Sequence, residues 1–363
     1  MNQRVQRLRQ RLADEGNDAV FISAPENRRY LSGFTGSAGY LIVSQEHAYV
    51  ATDFRYWEQV GRQSPDFELV KMTQGDLGTW LAPVLERIQP ATLAFEAGNA
   101  TFAFHTTLKE SLKKLRPALR PRLVPTLDLV EGLRIVKDEE ELQIITRAVE
   151  IADQAYMEVS AGLEPGITER EIAWRLEKSM REQGAESTSF DIIVAAGPNA
   201  AMPHHRPTDR PVEKDEPIII DMGARLQGYC SDLSRTTFLG KPDDTYRRVY
   251  DVVLGAQETA IAAVQSGMTG HDADRLARDV IEKAGYGEQF GHGTGHGVGL
   301  VIHENPRVAR NAKNELSDGM VFTVEPGVYL PGWGGVRIED IVVLENGSSR
   351  NLTRAPKTDA LAV

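Results

Sequence analysis

Apolar positions in the first third of the chain follow two rhythms. Short runs rich in Val, Ile, Tyr and Phe predict strands: DAVFIS (18–23), GYLIVS (39–44), HAYVAT (47–52) and TLAFEAG (92–98). LGTWLAPVLERI (77–88) and TFAFHTTLKESLKKL (101–115) carry helical spacing. Three prolines follow between 117 and 125, in a stretch without periodicity. Proline removes a backbone donor and biases its predecessor away from helix. The junction is therefore expected near 117–130, giving domains 1–125 and 126–363. Beyond it, KDEEELQIITRAVEIADQAYMEVSAG predicts a long helix, with acidic residues 138–141 at the positive end of its dipole. A second helix is expected from Thr168, with Glu171 in capping-box spacing.

The second domain repeats itself. VSAGLEPGITEREIAWRLEKS and VQSGMTGHDADRLARDVIEKA share a helix, a glycine turn and a capped helix. Gly166 and Ala173 match Gly270 and Ala277 at an offset of 104, which also carries Asp221-Met222-Gly223 onto Glu325-Pro326-Gly327. In each half an apolar strand (PIIID, then MVFTVE) ends on a carboxylate, turns through glycines and returns to another carboxylate. The pairs are Asp221 with Asp232 and Glu325 with Glu339. This predicts an α/β (α+β) fold whose second domain is a duplicated unit with approximate two-fold symmetry.

Such symmetry would bring the four acids to one point. They cannot all stay ionised there without compensation, so either several take up protons or divalent cations sit among them. The apolar runs leading into the acids favour cations. Six of the eight histidines lie between 204 and 303. FGHGTGHGVGLVIHENP (290–306) holds His292, His296 and His303 among glycines at alternate positions, which is not the spacing of a dinucleotide loop. Glycines so placed let backbone and imidazoles approach a centre closely. His204 and His205 form a further pair on an expected loop. Carboxylates with an imidazole suit Mn, Co, Fe or Zn in catalytic pairs, and the chemistry of such pairs is hydrolysis.

Composition narrows the partners. With 41 Lys+Arg against 52 Asp+Glu, a net charge of −11 argues against binding a nucleic-acid backbone. The single cysteine, Cys230, excludes an intramolecular disulfide framework and is expected to pack rather than react. The start carries no secretory apolar core, and no run approaches the ~20 residues that span a bilayer. The expectation is a cytoplasmic protein without nucleic-acid or membrane partners.

The motifs PHHRPTD, IIIDMGARLQGYCSDLSRT, GHGTGHGVGLVIHE, VEPGVY and GGVRIED, in that order, resemble the pita-bread metallopeptidases: methionine aminopeptidase, aminopeptidase P and prolidase. The resemblance is strong over residues 130–363. NRRYLSGFTGSAGYL and TDFRYWEQ extend it to the N-terminal, creatinase-like domain of aminopeptidase P and prolidase. It implies a mixed α/β N-terminal domain before a pita-bread catalytic domain. It further implies that Asp221, Asp232, His296, Glu325 and Glu339 ligate two divalent metal ions per subunit, manganese foremost with cobalt or zinc as alternatives. Glu325 would also shuttle a proton, His303 would stabilise the tetrahedral intermediate, and His204 would contact substrate. His292, Tyr329 and Arg337 match residues around the substrate.

The extra N-terminal domain points to the proline-directed branch and to a homodimer. The implied reaction is hydrolysis of the N-terminal Xaa-Pro bond of dipeptides or short peptides through a metal-bridging hydroxide. The choice between dipeptide and longer peptide stays open. The alternatives are a metal-dependent aminopeptidase of broader specificity and a catalytically silent peptide-binding module on the same scaffold. Retention of every ligand speaks against the second. It also speaks against creatine amidinohydrolase, and no P-loop supports a phosphoesterase.

Overall fold

The strands expected in the first third pair into one sheet. The computed structural model describes residues 2–73, 76–357 and 360–361. The six strands run, in spatial order, Glu68–Met72, Ala48–Asp53, Tyr40–Ser44, Ala19–Ile22, Thr92–Glu96 and Arg122–Thr126. Tyr40–Ser44 is antiparallel to both its neighbours, and the remaining pairs are parallel. Phe21, Ile42 and Leu93 on this sheet pack against Trp80, Leu81 and Leu85 of the helix Leu77–Ile88 and against Leu108 and Leu112 of the helix Phe102–Leu112.

The proline-rich stretch behaves differently from expectation. Arg122–Thr126 is the sheet's edge strand, paired with Thr92–Glu96, and an edge tolerates Pro125 because one side of the strand has no ladder to complete. The short helix Glu131–Arg134 is then fastened back. Arg134 Nη1 donates to Asn27 Oδ1 at 2.8 Å, and Asn27 Nδ2 donates to Glu131 Oε1 at 2.6 Å. The first compact unit thus runs to Arg134 and the second is Ile135–Val363. Residues 117–130 lie within the first unit, because a strand and a turn of helix absorb the chain that its prolines appeared to set apart.

The second unit begins with the long helix Glu139–Ser160, closed by a capping box between Asp138 and Glu141. At the next helix, Glu169–Glu182, the box is half made. Thr168 Oγ1 accepts from Glu171 N at 3.1 Å, but the Glu171 carboxylate accepts from Arg175 instead. Its counterpart, Gly270–Lys283, has the complete box between Thr269 and Asp272. The caps Thr168 and Thr269 therefore stand 101 residues apart, not the 104 that separates Asp221 from Glu325. Gly166 precedes its cap whereas Gly270 follows its own, so the glycine and alanine matches read from the sequence do not correspond in the helices.

Each half then supplies a sheet. Glu216–Met222 lies between Ile193–Ala196 and Leu233–Leu239, with Asp221 opposite Ser234. In the other half the order is Glu304–Val308, Gly295–Gly297, Val321–Val324, Asp340–Glu345 and Ser348–Asn351. Ile218 and Ile220 pack on Ile172, Leu176 and Met180, while Phe322 and Val324 pack on Val253, Ala277 and Ile281. Each acid-bearing strand is thereby backed by apolar residues of its own helix pair. Among the described residues no helix is long and apolar enough to cross a membrane.

Leu176 is fully buried and Trp174, two residues before it, is 56% exposed. Leu176→Ala should destabilise the fold by about 2–5 kcal/mol in urea denaturation, through lost burial and the cavity left behind. Trp174→Ala should change it by less than about 0.5 kcal/mol.

Candidate metal centre

The acids stand at strand ends, where a strand leaves its ladder and the backbone can turn inward. Asp221 is the penultimate residue of Glu216–Met222, and Asp232 immediately precedes Leu233–Leu239. Glu325 follows Val321–Val324, and Glu339 precedes Asp340–Glu345. Backbone bonds hold two of these ends. Glu339 N donates to Ser234 O at 3.0 Å, joining the two halves, and Glu325 N donates to Thr294 O at 2.7 Å. His296 lies in Gly295–Gly297, pressed between neighbouring chains. A Cβ on Gly295 would stand 1.9 Å from Thr323 O, and one on Gly297 2.1 Å from Asn305 O. These two glycines are required by close approach.

One ligand atom each from Asp232, His296 and Glu339 lie within 4.8 Å of one another. His296 Nε2 is 3.6 Å from Asp232 Oδ2 and 3.4 Å from Glu325 Oε1. Asp221 Oδ2 accepts from Arg337 Nη2 at 2.6 Å, whereas Asp221 Oδ1 is buried without a partner among the described residues. Arg337 is itself buried. Its Nη1 donates to the Tyr329 hydroxyl at 2.9 Å and its Nε to Ser234 Oγ at 2.9 Å. The Tyr329 oxygen lies 2.9 Å from His292 Nε2, completing a chain from His292 through Tyr329 and Arg337 to Asp221. His303 stands edge-on to the His296 ring, with centroids 4.4 Å apart. His204 is exposed on its loop, and burial first, with the neighbouring His204 imidazole as a smaller cause, lowers the pKa of both His292 and His303. His205, its neighbour, bonds the buried Glu169 instead.

Electrostatics shows what the centre favours. Burial first, and then the charges of Glu339, Asp221 and Glu325, push Asp232 well above the ordinary carboxylate range. Burial likewise raises Glu339, helped by Glu325 and Asp221, and lifts Glu325 to about 8. Burial lowers His296 to about 4, so its imidazole is neutral at pH 7. Carboxylates that cannot ionise unaided, a neutral imidazole and an unpaired buried oxygen are what a cation would satisfy. An oxygen-rich set with one nitrogen suits a hard or borderline divalent ion.

Residues that motif reading passed over hold this arrangement from behind. Asp274 accepts from Thr294 N and Oγ1 at 3.0 and 2.8 Å, while Arg278 donates to the carbonyls of His292 and Phe290 at 2.7 and 3.1 Å. The two form a buried ion pair at 2.6 Å. Their signal was present: both fall on the apolar face of their helix beside Ala273, Ala277 and Ile281, where charge needs a reason. Cys230 is buried, and burial pushes its thiol up, as a packing residue requires.

Residues 143–346 match metallopeptidase family M24, and residues 4–136 match the creatinase/prolidase N-terminal domain. The chain belongs to metallopeptidase family M24. It is 36% identical over 98% of its length to an Xaa-Pro dipeptidase of Pyrococcus furiosus, 99% of which is covered. Among solved structures, an Xaa-Pro dipeptidase from Bacillus anthracis superposes with a TM-score of 0.94 at 39% identity, covering 99% of each chain. An X-Pro aminopeptidase from Thermotoga maritima superposes with a TM-score of 0.90 at 36% identity, covering 99% of this chain and 100% of that one. The M24 unit is thus preceded by a creatinase-like domain in a mixed α/β protein. As a family member it is a metallopeptidase that uses divalent metal.

A carboxyl group whose pKa is raised by folding stabilises the fold below its unfolded value and loses that contribution as pH rises through the folded value. With Glu325 lifted to about 8, the metal-free M24 protein should lose thermal stability between about pH 5 and pH 9. Glu325→Gln should flatten that slope in differential scanning calorimetry. Titrating Mn2+ at pH 7 in two buffers of different ionisation enthalpy should show net proton release, because ligands must deprotonate to bind.

Proposed function

We propose that this chain is a metal-dependent Xaa-Pro peptidase that cleaves the bond between a first residue and proline in dipeptides or short peptides. The observation that carries this reading is the convergence of Asp232, His296 and Glu339 with Glu325 and Asp221 beside them, walled by the His292–Tyr329–Arg337 chain. Relatives named for Xaa-Pro hydrolysis over nearly the whole chain support it. Those five residues would hold two divalent ions, manganese foremost, whose Lewis acidity polarises a carbonyl and makes water a nucleophile at neutral pH.

The chain's own groups do the rest. Glu325, whose Oε1 lies 3.4 Å from His296 Nε2, is ionised once a cation is held and is placed to take a proton from the attacking water and return it to the leaving imino nitrogen. His303, whose pKa burial lowers, is neutral and donates a hydrogen bond to the developing oxyanion. Arg337 holds Asp221 and Tyr329 in place, so the wall beside the cluster keeps its shape when substrate enters. His204 contacts substrate from its exposed loop. A homodimer in the cytoplasm completes the reading, the single buried cysteine fitting a reducing compartment.

Metal-stripped protein should regain activity toward Ala-Pro, but not Ala-Ala, when Mn2+, Co2+ or Zn2+ is restored separately. Release of alanine from Ala-Pro-Ala as well would assign the longer-peptide activity, and its absence a strict dipeptidase. No turnover of either proline peptide with metal bound would sink the substrate assignment. His303→Ala should lower kcat by about 10²-fold, the scale of one oxyanion donor, with metal content retained. An equal loss of metal would make His303 a ligand. Light scattering should give a mass of two chains.

A further inference from the structure

The two adjacent histidines of the PHHRP loop have parted company. His204 is exposed toward the site, while the His205 side chain is 9% exposed and meets Glu169, whose own side chain is 0% exposed. Glu169 opens the helix Glu169–Glu182, and its carboxylate accepts five hydrogen bonds from the segment 196–208. Oε1 takes Ala196 N and Asn199 Nδ2, both at 2.9 Å. Oε2 takes Thr208 N at 3.0 Å, Thr208 Oγ1 at 2.7 Å and His205 Nε2 at 2.9 Å. One buried carboxylate thus grips the loop at its entry, its middle and its exit. From the other side, Arg337 Nη1 donates to Pro203 O at 3.4 Å, and His205 N donates to Met202 O at 3.1 Å. Entry and exit have further ties: Ala196 pairs with Ile218 in the sheet, Arg170 N donates to Thr208 O at 3.1 Å and Glu169 N to Arg210 O at 3.2 Å. Among the described residues, the middle, where His204 sits, is held by the turns at Met202 and His205, the Pro203 contact, an exposed Arg206–Asp191 pair at 3.8 Å and the His205 imidazole, which alone ties it to a buried group of the helix start.

We propose that His205 and Glu169 form a latch that presents His204, making both positioning residues for the reaction. The proposal rests on the reading that His204 contacts substrate. A buried carboxylate with several donors is costly to rearrange, so the His205 bond transmits the rigidity of the helix start to a loop that would otherwise move. Small misplacements of a contacting group are expensive in rate.

The test uses the full-length, Mn2+-loaded enzyme with Ala-Pro as substrate. His205→Ala should lower kcat/KM about tenfold with metal content unchanged, and His205→Gln, which keeps an N–H, should recover most of it. Amide hydrogen exchange should quicken about tenfold in 197–208 in His205→Ala and stay at the wild-type rate on Gly295–Gly297. In a His204→Ala background, His205→Ala should add less than a twofold further loss. Unchanged exchange in 197–208, or losses that multiply in the double variant, would overturn the latch. If His204→Ala alone leaves kcat/KM at the wild-type value, the role given to His204 has failed and the positioning claim falls with it. The exchange measurement would then still report whether the loop is held.

Discussion

The second unit is built to keep like charges together where little water reaches them. Four carboxyl groups share one poorly solvated space, and the repulsion of their neighbours adds to the cost of burying Asp232 and Glu339. A soft scaffold would relax by swinging the acids outward. This one does not, because each acid sits at the root of a strand whose remaining residues are locked in a ladder and packed on apolar side chains. Protons relieve the strain in the metal-free protein, and a cation would relieve it more completely.

Rigidity of that kind needs support at the strand ends, where ladders stop. Arg235 supplies one prop. It is buried beside Ser234, donating to the Glu339 carbonyl at 2.6 Å and to Asp340 at 2.8 Å. The Asp274–Arg278 pair supplies another, gripping the backbone that carries His292. These buried ion pairs are weak evidence for stability, since desolvation offsets most of their attraction. Their hydrogen bonds go to backbone atoms beside the site, so their value lies in placement. Glu169 does the same for the loop of His204 and His205.

Much of this was legible in the chain because strong local signals agreed with one another. The helix 77–88 could be placed from periodicity, the acid-bearing strands from their apolar runs, the four carboxylates from the ends and returns of those strands, and His296 from the resemblance carried by its glycine-rich motif. The props were harder to see, because Arg235 and Glu169 look like ordinary charged residues until tertiary contacts reveal that they face inward, and Asp274 is marked only by its place on an apolar helix face. The proline-rich stretch misled for a related reason: Pro125 marks an edge strand as readily as a linker, and only the pairing with Thr92–Glu96 distinguishes them. The repeat misled in register, since glycines on either side of a cap look equivalent in a one-dimensional comparison.

That register also reveals how the duplicated halves have diverged. From cap to first carboxylate is 53 residues in one half (Thr168 to Asp221) and 56 in the other (Thr269 to Glu325). From first carboxylate to second is 11 residues (Asp221 to Asp232) against 14 (Glu325 to Glu339). The longer hairpin, Gly327–Leu330 with Gly334–Arg337, is the one that carries Tyr329 and Arg337. A perfect two-fold centre would have no left or right, and a peptide could lie across it in either sense. Lengthening one arm of the repeat gives the centre a handedness, so a chain with distinct amino and carboxyl ends meets a surface that can tell them apart.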